Sequence, residues 1–178
     1  NPVSAGGVLV MGYWRATSET VPAKSAVLTG AQLNEITVID AIQNIQNGAF
    51  DITVNGTLAS VAGLDFRTVS TLTEVAALID AALINATVSY VGNQLVVKST
   101  TTGVASTITF ASTAAGTYVG NSLGLASGSG AVTVQGVASV VLTAETQLDA
   151  ITALKSLVNI KGATFIDPGV DADRLASA

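Results

Sequence analysis

Apolar and polar positions follow several distinct rhythms along this chain, and each predicts an element. Gly7-Val-Leu-Val-Met-Gly-Tyr-Trp14 is a short unbroken apolar run, consistent with a strand buried on both faces. After a polar linker containing Pro22 and Lys24, the residues Ile36, Ile39, Ile42 and Ile45 recur at three-residue steps, a helical pattern for which Gly48 supplies a C-terminal stop. Asp51-Ile-Thr-Val-Asn55-Gly56-Thr-Leu-Ala-Ser-Val61 then sets two β-prone runs around Asn-Gly. Those two residues readily take the positive φ angles of a type I′ turn, so the stretch predicts a hairpin.

Thr71 with Glu74 three residues later is a capping-box pattern, and Leu72, Val75, Ala76, Ile79 and Leu83 follow at helical spacing on one face, predicting an amphipathic helix. Ala86 to Val91 and Gln94 to Ser99 flank Gly92-Asn93 as a second hairpin, and Thr107-Ile-Thr-Phe110 alternates as a further strand. Residues 112–130, rich in Gly, Ser, Thr and Ala, predict loops with a short helical turn near Ser122 to Leu125, and Ala131 to Val137 resumes strand character. Thr133-Val-Gln-Gly136 weakly echoes Thr53-Val-Asn-Gly56. Thr143 is the expected N-cap of a second amphipathic helix carrying Leu148, Ile151, Leu154 and Val158. Ala163 to Ile166 reads as a strand, Asp167-Pro-Gly169 as a turn, and Asp171 onward as a helix start cut short by the chain end.

Composition narrows the picture. Hydrophobic residues make up 49% of the 178 and aromatics 4%, so the core must pack Ala, Val, Leu and Ile rather than large rings. The longest apolar runs are far shorter than the roughly 18 residues of a membrane-spanning helix, and no signal-peptide pattern stands at the start. Charged residues are only 11%, with a net charge of -5. The seven basic residues Arg15, Lys24, Arg67, Lys98, Lys155, Lys161 and Arg174 are scattered, which disfavours a nucleic-acid partner. Cys is absent, so neither disulfides nor thiol chemistry are available.

The chain also holds no His, which removes the Ser-His-Asp and Cys-His nucleophile systems and the usual zinc ligands. Two carboxylates suffice for glycoside hydrolysis, but the acidic residues have structural explanations. Glu74 is a cap partner, Asp80, Glu145 and Asp149 fall on polar helix sides, and Asp51 and Asp65 border strands. Asp167, Asp171 and Asp173 lack calcium-loop spacing, and Gly128-Ser-Gly130 lacks the lysine of a phosphate loop. Asn55-Gly-Thr57 and Asn85-Ala-Thr87 match the glycosylation sequon, and Tyr13 with Trp14 reads as core. No residue is assigned to catalysis, cofactor binding or metal binding, and the chain is expected not to be an enzyme.

Asp51 to Phe66, the helix from Thr71 to Leu83, Ala86-Thr-Val-Ser-Tyr90 and Gln94-Leu-Val-Val-Lys-Ser-Thr-Thr-Thr-Gly103 together resemble an inserted module of one phage tail sheath family. Val8-Leu-Val-Met-Gly-Tyr-Trp-Arg15 resembles the strand before the insertion. Ala144-Glu-Thr146 with its helix and Lys161-Gly-Ala-Thr-Phe-Ile-Asp167 resemble the return to the parent domain. The resemblance implies a structural protein of a contractile tail, assembled in the host cytoplasm and located in the virion, that polymerises around the tail tube and contracts during infection. Its partners are then other sheath subunits and the tube, with no nucleic acid and no membrane. The terminal extensions that link such subunits are not evident, so this fragment is expected to be monomeric. The expected fold is α+β, with a β-rich inserted domain and amphipathic helix at 27–142 and a small α/β remnant of the parent at 1–26 and 143–178. Flagellin and hook-associated proteins share part of the pattern and are the second reading; a virion or cell-surface adhesin or carbohydrate-binding module is the third.

Overall fold

The computed structural model describes residues 18–144 together with 146, 148, 149 and 152. The chain divides into two compact units, Pro22–Ser139 and the paired ends Asn1–Val21 with Val140–Ala178. The strand predicted at 7–14, with Tyr13 and Trp14, and the elements predicted from 163 onward, including Asp167, Asp171 and Asp173, lie outside the described residues.

Pro22–Ser139 is a β-rich α+β unit. Its four-stranded sheet has the order β5-β6-β2-β8, built from β2 (Val27–Thr29), β5 (Ala86–Val91), β6 (Gln94–Ser99) and β8 (Val132–Val134). Its three-stranded sheet, β4-β3-β7, consists of β3 (Gly48–Val54), β4 (Thr57–Leu64) and β7 (Thr117–Tyr118). The helices are α1 (Glu35–Ile42) and α2 (Leu72–Ala82). One apolar cluster joins them, with Leu28, Ile42, Phe50, Phe66, Ile79 and Leu95 fully buried.

Both predicted hairpins form. Asn55 and Gly56 have φ of 53° and 76°, Gly92 and Asn93 have 59° and 62°, and each pair leaves its strands in antiparallel register as a type I′ turn requires. The turns differ in what they touch. The Asn55 carboxamide accepts from Ser99 Oγ at 3.0 Å and from Thr107 N at 3.1 Å, so this turn also ties two distant segments together.

Helix α2 forms as predicted, with Leu72, Val75, Ala76, Ile79 and Leu83 buried. Thr71 Oγ1 accepts from Glu74 N at 3.2 Å, while the Glu74 carboxylate accepts from Thr71 N at 3.1 Å and from Ser70 N at 2.6 Å. Helix α1 departs from the expected isoleucine stripe. Steps of three advance 300° around a helix and so walk off any one face. The buried pair is instead Val38 and Ile42, four apart, while Ile36 is 74% exposed. Gly48 is not the helix stop, since α1 ends at Ile42 with Gln43 as C-cap. Gly48 opens β3, where an added Cβ would collide with the Phe66 ring.

The segment predicted as a strand at 107–110 lies beside β3 but makes only an isolated bridge, Val54 with Ile108. The ladder is interrupted at Thr109, whose Oγ1 rather than its carbonyl accepts from Thr53 N at 3.0 Å. On the side away from β3 the Gln135 carboxamide accepts from Ile108 N and donates to Ile108 O, both at 3.0 Å, so a side chain replaces a further strand. The echo at 133–136 is accordingly no hairpin: Thr133 lies in β8, which pairs with β2, and the strand predicted at 131–137 is confined to Val132–Val134. Gly136 sits where an added Cβ would meet Gly103 O, with Ser106 Cβ at 2.6 Å and Lys24 O at 2.9 Å. The helical turn expected near 122–125 is a hydrogen-bonded loop from Val119 to Leu125 that buries Leu123 and Leu125.

In the unit of the chain ends, β1 (Glu19–Val21) pairs antiparallel with β9 (Val140–Leu142). The N-cap expected at Thr143 belongs to Thr146, whose Oγ1 accepts from Asp149 N at 3.1 Å while Asp149 Oδ2 accepts from Thr146 N at 3.3 Å. The reciprocal bonds of Thr146 and Asp149 place the cap three residues later than the threonine chosen from sequence.

Candidate functional site

The route by which the chain enters and leaves the Pro22–Ser139 unit is closed by backbone bonding. Lys24 N donates to Val137 O at 2.9 Å, and Val137 N donates to Lys24 O at 3.1 Å. Deeper in this unit, Val27 stands opposite Val134. Within the other unit, Val21 stands opposite Val140. Lys24 and Val137 each stand two residues inside the ends of the Pro22–Ser139 unit, so its two connections leave side by side.

The carboxylates act mainly as backbone acceptors. Asp80 was expected on a polar helix side, and its exposed carboxylate accepts from Val88 N at 2.6 Å on β5, the edge strand of the larger sheet. That bond occupies an N–H which would otherwise be open to strand addition. Glu35 on α1 accepts from Leu72 N at 2.8 Å, satisfying a donor at the start of α2. Asp51, inside β3, accepts from Ser60 Oγ at 2.6 Å on β4. Asp65 pairs with Arg67, and this hydrogen-bonded guanidinium holds its carboxyl down at about 2. The backbone N–H groups of Ser70 and Thr71 likewise lower Glu74. Asp149 is the partner in the Thr146 cap.

These residues are spread over the unit rather than gathered around a cleft. A shallow depression of about 250 Å³ is lined by Val54, Leu58, Ser60, Ala82, Ile84 and Asn85, among others. It contains no ionisable side chain and does not overlap any acid singled out from the sequence. The sequon residue Asn85 takes a positive φ of 68°, and its carbonyl accepts from Thr100 N at 3.0 Å. Gly128-Ser-Gly130 overlaps a single 3₁₀ turn, Ser127–Ser129, with Gly130 as its C-cap, and Ser129 Oγ donates to Ala126 O at 2.7 Å.

What sequence reasoning missed is a surface. Register places Val27, Val96, Val132, Val134, Thr29 and Lys98 on one face of the larger sheet. Leu28, Val97 and Val88 occupy its opposite, buried face. Val132 and Val134 are each 58% exposed. The alternation at Val132-Thr-Val134 was the available signal, but strand order was needed to join it to Val96 and Lys98.

No curated protein matches the chain. A family model does, that of the E217 tail sheath protein gp31, insert domain, over residues 23–137. The matched stretch begins and ends beside the Lys24 and Val137 bridge. Covering well over half of the chain, it establishes that this protein belongs to the phage tail sheath family represented by the insert domain of gp31.

Proposed function

We propose that this chain is a non-catalytic part of a contractile tail sheath, in which residues 22–139 form an outward-facing domain inserted into a parent fold supplied by the flanking ends. The whole protein assembles with other sheath subunits around the tail tube in the host cytoplasm and contracts during infection. Neither nucleic acid nor membrane is a partner of this unit. The observation that carries this reading is the closed base of the Pro22–Ser139 unit, where Lys24 and Val137 exchange backbone bonds. An insertion whose two connections lie side by side can be added to a parent fold with little disturbance. The absence of His and Cys from the sequence and the use of Glu35, Glu74 and Asp80 as backbone acceptors support a mechanical rather than chemical role.

Excision tests it. Replacing residues 23–137 by a short Asn-Gly turn in the full sheath polypeptide should leave hollow cylinders in negative-stain electron micrographs, with a smaller outer diameter. Loss of all cylinders, with the deleted protein still folded by circular dichroism, would show that the insert belongs to the sliding contacts and is not outward decoration.

A further inference from the structure

The outer face of the β5-β6-β2-β8 sheet combines exposed valines with one charge. Across its strands, Lys98 stands in the row Thr87, Lys98, Val27, Val134, and Val96 in the row Ser89, Val96, Thr29, Val132. Lys98 is the one charged residue in these four strands, and among the described residues it has no ion-pair partner. All six carboxylates of residues 22–139, namely Glu35, Asp40, Asp51, Asp65, Glu74 and Asp80, precede residue 81. They sit on other elements.

This segregation disfavours a symmetric pairing of the face with itself. A twofold contact would bring two copies of Lys98 and the same valines together with no acid to neutralise them. The complementary feature lies on α1. Ile36 is 74% exposed, and Asp40 falls four residues later on the same helix face. Among the described residues, Asp40 is the carboxylate of this unit with no hydrogen-bond or ion-pair partner, whereas the other five each accept at least one bond. An apolar side chain beside an unpartnered acid matches valines beside an unpartnered lysine.

Resting on the sheath reading above, we infer that the valine and Lys98 face of one copy receives the Ile36 and Asp40 face of α1 from a second copy in the assembled sheath. The contact is heterologous, so each copy keeps one face open for the next. Such contacts propagate along a helix rather than closing into a dimer. Apolar contact by Ile36 with Val132 and Val134 supplies association, and the Asp40 to Lys98 pair sets the register.

The absence of cysteine from the chain permits a direct test. Ile36→Cys and Val134→Cys are made separately in the full sheath polypeptide, mixed, assembled and treated with a short bismaleimide. The expected product is a cross-linked pair containing one chain of each variant, with no pair from either variant alone. Adding Lys98→Asp should lower the yield about fivefold, as for a partly exposed ion pair, and Asp40→Lys on the other chain should restore it. Val134→Cys linked to itself would overturn the contact in favour of a symmetric one. Cylinders that form normally but give no mixed product would overturn the contact while leaving the sheath reading intact. Failure of the wild-type polypeptide to form cylinders would overturn both.

Discussion

On the inner face of the four-stranded sheet Leu28, Val97 and Leu95 are fully buried, and on the outer face Val132 and Val134 remain 58% exposed. The residue types on the two faces are nearly the same, and Val96 and Val97 are neighbours pointing opposite ways. β-Propensity therefore made both faces valine-rich, while burial made only one of them core. Inner valines and leucines lose water contact on folding and contribute stability. Outer ones keep much of theirs, so their contribution awaits a covering surface.

Substitutions can break this contrast. The largest expected effect is on the inner face: Leu28→Ala should cost about 2–5 kcal/mol in urea unfolding, because the emptied volume is enclosed on every side. Gly136→Ala comes next. Its methyl group would press on backbone at Gly103 and Lys24, loosening the segment that follows β8 by about 1–3 kcal/mol, measurable in the same titration. Thr71→Ala should cost about 1 kcal/mol by removing the acceptor for Glu74 N at the start of α2, the helix packed against β5.

Acid should act on the same cap. Glu74 and Asp65 are both held below their unfolded values in the folded protein, so their stabilisation is complete above those unfolded values and disappears as pH falls through the folded ones. Melting temperature should therefore decline as pH drops below the ordinary glutamate value of 4.5 and continue to decline towards the Asp65 value of about 2. Glu74→Gln should flatten the upper part of that slope. The smallest stability effect belongs to the outer face, where Val134→Thr should change unfolding by no more than about 0.5 kcal/mol. A loss there comparable to that of Leu28→Ala would show that the outer valines are already core.

Much of the inserted unit was legible in sequence because its signals are local. Asn55-Gly56 and Gly92-Asn93 provide positive φ at adjacent residues, and a reciprocal Thr71 and Glu74 cap with buried positions three and four apart needs no distant partner to be recognised. The resemblance to a tail sheath insert, carried by those same elements, agrees with the family match over 23–137. Less legible were elements whose partners are remote. The interruption at 107–110 depends on Thr109 Oγ1 taking the N–H of the distant Thr53, and Gly48 is explained by Phe66 rather than by the preceding helix. The three-residue isoleucine steps misplaced Ile36 because a true helical face also uses four-residue steps.

The sequence by itself determined the turns, the capped helix, the small-residue core and the lack of imidazole and thiol chemistry, since each follows from side-chain type or spacing within a few residues. Tertiary structure alone decided the strand order, the side-by-side ends of the inserted unit, the acids that serve remote backbone donors, and which valine face lies open. Those features depend on pairings between residues as much as 123 positions apart, such as Glu19 with Leu142 in one unit and Lys24 with Val137 in the other. Strand alternation carries no information about which distant edge a strand will meet.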